Sequence, residues 1–375
     1  MSDRYALPLL DAREAETRLC TYCPKLCRPA CPVGTVEARE AVIPWGIMRG
    51  MNELARGAVA EGDEAAVAAT AWACTRCGNC RSLCLLDNPV ADTLVDARAD
   101  AFAAGLAPTE ASAVAQRFPE RVARIEAAAA ALGPVEVPRG DGSTAYIPGC
   151  TAVLFEGEHI AEITRAVARL SPSGGCTLVS DFCCGAPLLD AGDREGFLAH
   201  ARRVAADLGA YTHLVTGDAG CAHTLKVMYA RLGVAPPKWA TVEHVAELAA
   251  RNTHLLRVVD EPRAVVMHDA CRLGRGMGVY EAPRAVVAAV SGRAPLELPH
   301  HHEHSTCSGA GGLLPVTRPE TAKAVARELA DEVREVAGDR EAVVITSCAA
   351  SRRALHSAGV DAEDLSVWIA RGLLR

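Results

Sequence analysis

The sequence predicts an α+β protein, with a mostly helical N-terminal module followed by two repeated α/β domains whose sheets are mainly parallel. Two observations support this prediction. Eight of the 16 cysteines fall in two short runs between positions 20 and 84, and the next cysteine is at position 150. Beyond that gap, short apolar strands alternate with amphipathic helices, and the same order of elements occurs twice.

Composition narrows the function classes. The chain has 375 residues, of which 50% are hydrophobic but only 4% aromatic, and this favours close-packed helices around thin α/β layers. Its formal charge of −7 comes from acids and bases that are mixed along the chain. Because no basic face stands out, we expect no nucleic-acid partner.

Membrane and export signals are short of what those functions need. The N-terminal apolar run covers only Ala6 to Leu10, and no segment reaches the roughly 18 apolar residues of a membrane helix. We therefore expect a cytoplasmic protein, free or docked peripherally on the inner face of a membrane. In such a reducing compartment, close cysteine runs favour metal binding or redox catalysis over disulfides.

The predicted domain boundaries follow the cysteine gap. An alanine-rich helical stretch from about 108 to 132 and a Pro/Gly-rich turn over 133–142 separate the two parts of the chain. We expect a cysteine-bearing module over 1–104, a helical linker over 105–142, a first repeat over 143–258 and a second repeat over 259–375.

The repeat can be read from the cysteines and the strands before them. Strands at 145–147 and 214–216 in the first copy correspond to strands at 264–267 and 343–346 in the second. Another strand is predicted at 177–180, and helical periodicity is clear at His159–Leu170, Glu195–Leu208 and Pro319–Val336. Ligands collect at the carboxyl ends of parallel strands, where these cysteines stand. The corresponding motifs are Cys150 and Cys271, Cys183-Cys184-Gly185 and Cys307-Ser308-Gly309, and Asp218-x-x-Cys221 and Cys348-x-x-Ser351.

The two N-terminal runs predict two 4Fe–4S clusters. Bacterial two-cluster ferredoxins use the spacing C-x2-C-x2-C-x3-C-P, in which the fourth cysteine ligates the other cluster. The second run matches this spacing without the final proline, and the first keeps the proline but has one extra residue before its third cysteine. We assign cluster 1 to Cys20, Cys23, Cys27 and Cys84, and cluster 2 to Cys74, Cys77, Cys80 and Cys31. A pair of structural zinc sites is the alternative, although zinc knuckles usually space their cysteine pairs more widely.

The cysteine pairs further along resemble the cysteine-rich CCG domain. That domain occurs, duplicated, in the B and D components of heterodisulfide reductases, and in the iron–sulfur subunits of glycolate oxidase, lactate oxidation systems and anaerobic glycerol-3-phosphate dehydrogenase. The segments at 268–275 and 307–312 also fit the family pattern, and with the ferredoxin-type module in front the resemblance covers roughly 20–370. The resemblance implies an iron–sulfur cluster for each complete CCG motif.

Both copies depart from the family motif. The first keeps Cys150, Cys183, Cys184 and Cys221 but has Asp218 where another cysteine is expected, and this set is the better candidate for a third cluster. Within it, Cys183 and Cys184 are the candidate catalytic residues. The second copy keeps only Cys271, Cys307 and Cys348, which form a candidate degenerate site, with Ser308 and Ser351 in place of two cysteines. Cys176 has no counterpart, and we interpret it as a buried core residue.

Weaker signals surround these motifs. The tract at 300–304 reads His-His-His-Glu-His; such tracts bind metals, and one imidazole would complete the three-cysteine site, but a solvated loop is the commoner interpretation. His268 and Asp269 suggest a structural role or one supporting the ligands, and His223 suggests either that role or simple packing. No glycine-rich segment has the spacing of a dinucleotide fingerprint, so we expect no flavin or NAD site.

These signals together predict an iron–sulfur electron-transfer subunit of an oxidoreductase complex. The resemblance implies a flavoprotein dehydrogenase or electron-transfer flavoprotein as its partner, and a quinone, a thiol/disulfide couple or another acceptor. The first alternative is a catalytic disulfide or heterodisulfide reductase that uses a cluster at the CCG site. The second is a non-enzymatic, metal-stabilised scaffold or cluster sensor.

Overall fold

The computed structural model describes residues 5–21, 23, 25, 27–234 and 239–373. The chain forms two compact units, each assembled from three segments. Unit 1 contains Met1–Phe118, Pro187–Phe197 and Glu303–Ala330, and unit 2 contains Pro119–Ala186, Leu198–His302 and Asp331–Arg375. The predicted fold class is confirmed, since helices alternate with two parallel sheets. The predicted domain boundaries stay a prediction.

The first 131 residues are helical, apart from their connections. Their helices are α1 (Pro8–Asp11), α2 (Glu14–Thr21), α3 (Pro32–Glu37), α4 (Pro44–Ala55), α5 (Glu64–Ala69), α6 (Asn79–Ser82), α7 (Val90–Ala103), α8 (Thr109–Gln116) and α9 (Phe118–Ala131). The predicted stretch from 108 to 132 is two helices rather than one, because Pro119 lacks an amide proton and its ring would clash with the carbonyl group four residues earlier.

The first repeat contains β1 (Thr144–Ile147), α10 (Cys150–Phe155), α11 (Gly157–Leu170), β2 (Thr177–Leu178), α12 (Ala186–Ala191), α13 (Arg194–Asp207), β3 (His213–Thr216), α14 (Ala219–His223), α15 (Tyr229–Arg231), β4 (Thr241–His244) and α16 (Val245–Ala250). The second contains β5 (Ala264–His268), α17 (Gly274–Met277), α18 (Glu281–Ser291), β6 (Leu296–Glu297), α19 (Leu314–Thr317), α20 (Pro319–Ala337), β7 (Ala342–Thr346), α21 (Ala349–Ser357), β8 (Ala362–Asp364) and α22 (Leu365–Leu373). Among the described residues, short 3₁₀ turns occur at Glu40–Val42, Thr70–Ala73, Leu208–Ala210, Thr253–Leu255 and His302–His304, and Thr224–Met228 is a π-helical turn.

The two sheets of unit 2 have the same topology. Their strand orders are β2-β1-β3-β4 and β6-β5-β7-β8, and every neighbouring pair is parallel. Ile147 pairs with Thr216 at the end of one sheet, and His268 pairs with Thr346 at the end of the other. The shared carboxyl edge of each sheet therefore carries the first and last cysteine positions of its repeat.

One hydrophobic core joins the two repeats. It contains apolar residues of both sheets, among them Tyr146, Val215 and Ile345, together with residues of α11, α16, α18 and α22. Trp368 on α22 is completely buried there. Because the apolar faces of both repeats bury each other, unit 2 stabilises the two sheets together.

Unit 1 has its own core, and the cysteines belong to it. Buried side chains of α4 and α7, such as Met48, Met51 and Leu94, pack with Trp72, and the same cluster contains Cys20 and Cys80. The thiol sites are therefore built into the packed interior of the helical unit.

A buried arginine fixes the loop that carries the second cysteine run. Arg98 is fully buried on α7 and donates hydrogen bonds to the carbonyl oxygens of Ala71, Cys74, Asp190 and Gly312. These bonds satisfy carbonyl groups that would otherwise be buried without partners in an irregular loop. Within the described residues, no helix combines the length and the apolar character that crossing a membrane requires.

Candidate metal centres

The four cysteines assigned to cluster 1 surround one cavity. It has a volume of about 210 Å³, and Cys20, Cys23, Cys27 and Cys84 all line it. Three of these residues come from α2 and the segment after it, and Cys84 follows α6 in the second run. The structure therefore brings the last cysteine of the second run to the first three of the first run, as the interlocked spacing predicts.

The four cysteines assigned to cluster 2 also lie together. The charges of Cys74 and Cys77 act on Cys31 and on Cys80, which places all four within electrostatic range. Cys31 caps α3, with its Sγ accepting a hydrogen bond from Gly34 N at 3.4 Å. The proline that ends the first run starts this helix, where a missing amide proton costs nothing.

The two runs are tied to each other by an asparagine. Asn79 lies between Cys77 and Cys80, and its Nδ2 donates a hydrogen bond to Ala30 O at 3.2 Å. Ala30 immediately precedes Cys31 in the chain. This bond therefore holds Cys31 next to the second run.

The electrostatics of both groups suit a cationic core. Burial raises the pKa of Cys20 to about 12, with the charges of Cys27 and Cys23 adding to the increase. Burial also raises the pKa of Cys31 to about 12, and that of Cys80 well above its usual value. Clustered thiolates in a packed interior are unfavourable without compensating positive charge, which iron supplies. The residues present thus fit the 4Fe–4S clusters that the spacing predicts.

Unusual backbone conformations direct the cysteines inwards. Lys25, Arg76 and Gly78, which lie in or beside the intervals between cysteines, have φ values of 65°, 61° and 79°. A left-handed conformation at a non-glycine residue costs on the order of 1–3 kcal/mol and persists where surrounding structure fixes it. Lys25 belongs to the interval that is one residue too long, so the chain accommodates the extra residue there by a left-handed turn.

Asn88 is a contact residue that the sequence analysis missed. Its Nδ2 lies 3.2 Å from Cys20 Sγ, and its backbone N lies 3.5 Å from Cys84 Sγ. Hydrogen bonds to sulfur are among the features that set cluster potentials. Its position four residues after Cys84 was the available signal.

The third group of cysteines forms a contiguous set of thiols in unit 2. Cys150 Sγ and Cys183 Sγ are 3.9 Å apart, Cys184 is hydrogen-bonded to both Cys183 and Cys221, and the last three are buried. The bond with Cys183 and then burial raise the pKa of Cys150 well above its usual value. All four cysteines retained in the first CCG motif are therefore neighbours.

Arg121 supplies positive charge to this third group and was also missed. Its Nη2 donates to Cys150 Sγ at 3.2 Å, and it is hydrogen-bonded to Cys183 as well. Burial alone would lower the pKa of Arg121, but the two sulfurs raise it above its usual value. Because Arg121 lies on α9, in the stretch predicted to be a linker, nothing in the motif pointed to it.

Two further side chains hold the cysteine pair through its backbone. His200 Nε2 lies 2.6 Å from Cys183 O, and Tyr229 Oη donates to Cys184 O at 3.1 Å. They come from α13 and α15. These contacts fix a loop whose carbonyl groups are buried together with the thiols.

Asp218 occupies the position where the family motif has a further cysteine. Its Oδ1 accepts hydrogen bonds from Gly220 N at 2.9 Å and Cys221 N at 3.1 Å, and its Oδ2 accepts one from Ala349 N at 3.2 Å. The carboxylate therefore caps the start of α14 and also binds the first residue of α21 in the other repeat. Here the side chain joins the two repeats.

The second repeat keeps fewer thiols together. Cys271 lies within electrostatic range of Cys348, and burial, followed by the charge of Asp218, raises the pKa of Cys348 to about 12. Cys307 belongs to unit 1, where its Sγ lies 3.5 Å from Thr75 Oγ1. The degenerate three-cysteine site thus remains a prediction.

The residues around that motif serve the fold. His268 Nδ1 lies 2.9 Å from Thr346 Oγ1, which connects the ends of β5 and β7, and Asp269 forms two 2.8 Å bonds with Arg284. The ring of His223 fills the space that a β-carbon at Gly276 would need. Cys176 is fully buried in the unit 2 core, with its Sγ 3.6 Å from Thr164 O.

Comparisons with known families agree with the two kinds of site. Residues 16–87 match the model of the 4Fe-4S dicluster domain, and residues 144–226 and 265–351 each match the model of the cysteine-rich domain. The resemblance predicted from the sequence is therefore confirmed, as a dicluster module followed by two cysteine-rich domains.

Several curated proteins are similar along much of the chain. The iron–sulfur-family relative from the CoM/CoB fumarate reductase of Methanothermobacter marburgensis, its B component, is 28% identical over 330 residues, which cover 86% of this chain and 64% of that component. The D component of the dihydromethanophenazine:CoB–CoM heterodisulfide reductase of Methanosarcina acetivorans is 25% identical over 328 residues, covering 80% and 77%. Lactate utilization protein A of Bacillus cytotoxicus is 25% identical over 202 residues, covering 51% and 81%.

The chain thus spans just under two thirds of the length of the fumarate reductase component that it matches. No solved structure gives a significant match to the chain. The similar proteins include reductase subunits, and the matched domains support a role in electron transfer.

Paired cysteine substitutions test the interlocked assignment. Cys20→Ala combined with Cys84→Ala should remove about four irons per chain, because both residues serve one cluster of four irons. Cys74→Ala combined with Cys84→Ala should remove about eight, since each residue serves a different cluster. Iron and acid-labile sulfide are measured after anaerobic purification. Cys176→Ala is the matched control and should lose none; the opposite order of losses for the two pairs would contradict the assignment.

Arg121→Gln tests the charge beside the third group. Loss of a positive charge at contact distance is worth about 2–4 kcal/mol at an effective dielectric constant near 20, so the midpoint potential of this site should fall by on the order of 100 mV. Redox titration followed by electron paramagnetic resonance measures it. Arg124→Gln, on the exposed face of the same helix, is the control, and equal potentials in the two variants would refute the assigned role.

Proposed function

We propose that this chain is the iron–sulfur subunit of an oxidoreductase complex, and that it carries electrons between a flavoprotein dehydrogenase or electron-transfer flavoprotein and an acceptor such as a quinone or a disulfide. The observation that carries the proposal is the gathering of 12 of the 16 cysteines into three groups of four. Clusters held at these thiols would supply one-electron transfer.

The protein's own residues prepare these sites for that role. Thiols such as Cys20 and Cys184 are buried, which keeps water from the metal sites. Arg98 and Arg121 place fixed positive charges beside Cys74 and Cys150, where they offset negative charge at the sulfurs. A site that is rigid and already charge-compensated changes little when its charge changes, as electron transfer requires.

The mouth of the cluster 1 cavity offers a surface for the partner. Leu85 is 86% exposed and Leu86 is 56% exposed, and both line that cavity next to Cys84. Adjacent exposed leucines are unfavourable in water, and a partner that covers them would come close to the cluster 1 cysteines. We infer that the flavoprotein docks here.

The test is anaerobic purification of the tagged chain from its native cells, followed by photoreduction of whatever flavin accompanies it. We expect a flavoprotein in the complex, and bleaching of the cluster absorbance when its flavin is reduced. The proposal fails if the chain elutes alone and flavin-free, and if reduced flavoproteins leave its clusters oxidised.

Surface variants separate docking from cluster assembly. The double variant Leu85→Ser, Leu86→Ser should slow reduction by the flavoprotein at least tenfold while iron content and reduction by dithionite stay unchanged. Val258→Ser, which alters a strongly exposed apolar side chain in unit 2, is the control and should leave the rate unchanged.

A cavity beside the third group favours a second candidate function, reduction of a disulfide substrate. Its volume is about 420 Å³, and its lining includes Asp181, Phe182, His200 and Arg203. Phe182 directly precedes Cys183, and His200 binds the Cys183 carbonyl oxygen. Reductive cleavage consumes two electrons and two protons and gives two thiols, so the substrate sulfurs would have to reach the Cys183–Cys184 pair.

Turnover of a small disulfide distinguishes the two functions. With reduced methyl viologen as donor and 2-hydroxyethyl disulfide as probe, the reductase candidate predicts activity that Cys183→Ala abolishes while about eight irons remain at clusters 1 and 2. Cys176→Ala is again the control. An electron relay without this activity shows no turnover in either variant or in the parent chain.

A further inference from the structure

The histidine tract of unit 2 lies apart from the cysteine groups, and two of its side chains converge with a glutamate. One ligand atom from each of Glu297, His301 and His302 lies within 4.8 Å of the others. His301 Nδ1 and His302 Nδ1 are only 2.6 Å apart. Two imidazole nitrogens that face each other this closely need a proton or a metal ion between them, because their lone pairs otherwise repel.

The second ring nitrogen of His302 is held in the way typical of a metal ligand. His302 Nε2 lies 2.8 Å from Glu281 Oε1. A carboxylate in this position keeps the proton on Nε2 and leaves the lone pair on Nδ1, the atom that faces His301. Metal-binding histidines usually donate their other ring N–H to a carboxylate or carbonyl oxygen, and this contact fixes the tautomer and the orientation of the ring.

Buried partners position both ends of the group. Arg284 donates 2.8 Å hydrogen bonds to both oxygens of Glu297 and to both oxygens of Asp269. Asp269 in turn accepts a 2.7 Å bond from His302 N. Arg284 and Asp269 are buried, so a rigid salt-bridged support holds the glutamate on β6 and the histidine backbone in register.

The backbone at His302 is strained in the direction that aims its ring. Its φ value is +54°, in the left-handed region that non-glycine residues rarely adopt. The bond to Asp269 stabilises this conformation, which turns the ring towards His301 and Glu297 instead of along the chain. Strain of this kind is retained where the surrounding structure fixes it.

We propose that Glu297, His301 and His302 bind one divalent transition-metal ion of the zinc type, with water completing its coordination. Two imidazole nitrogens and a carboxylate oxygen are a donor set that Zn²⁺ accepts readily. His301 is exposed and the other two residues are partly exposed, so an ion and its waters can enter from solvent. Binding would replace the proton between the two Nδ1 atoms and would fasten the segment 301–302 to β6.

Zinc titration of the full chain, purified anaerobically with its clusters in place, tests the proposal. Calorimetry with ZnCl2 should detect one site per chain whose affinity falls at least tenfold in His301→Gln and in His302→Asn. Asparagine is chosen at 302 because it tolerates the left-handed conformation, so the fold should survive. Glu281→Gln, which removes only the supporting carboxylate charge, should weaken binding about tenfold.

His300→Gln is the matched control, because His300 contacts Glu332 instead and does not belong to the group. It should bind zinc within twofold of the parent chain. Iron content and visible absorbance, measured on every sample, verify that zinc has not displaced iron and that the variants are folded. The proposal is wrong if His302→Asn and His301→Gln bind zinc as the parent does, or if His300→Gln loses as much affinity as they do.

Discussion

Gathering several thiols in a packed interior is the constraint on which the rest of this structure depends. Each buried cysteine opposes ionisation, and each neighbouring thiolate increases that opposition, so the pKa of Cys20, Cys31 and Cys348 rises to about 12. Such groups are stable as ligands only when positive charge lies among them or beside them. Iron would provide the first, and buried arginines provide the second.

The irregular features of the fold follow from this constraint. Arg98 and Arg121 are buried cations whose partners are carbonyl oxygens, sulfurs and Asp190, and each lies next to a cysteine group. The left-handed residues Lys25 and Arg76 turn short loops so that successive cysteines face one point. In the first repeat, Asp218 uses the place of a lost cysteine to cap two helices, which preserves the junction of the repeats without a sulfur.

Much of the arrangement could be predicted because it is local or repeated. The spacing of the two N-terminal runs was enough to pair Cys84 with the first run and Cys31 with the second, although the iron assignment remains a prediction. The repeat placed the main strands, since β1, β3, β5 and β7 are apolar and come before cysteines. Strands β4, β6 and β8 were missed because they are short and polar; Glu243 on β4, for example, is buried only because His213 and Arg251 bind it.

Other contacts depend on tertiary packing that no motif records. Arg121 and Asn88 contact the thiols from helices or loops with no cysteine signature of their own, and the partners of His302 come from three separate elements. The most direct measurement is the iron and sulfide content of the anaerobically purified chain, with electron paramagnetic resonance of its reduced form. Three filled groups of four thiols predict about 12 irons per chain at four per cluster. About eight would contradict the third group, and zinc in place of iron at the cysteines would contradict the account as a whole.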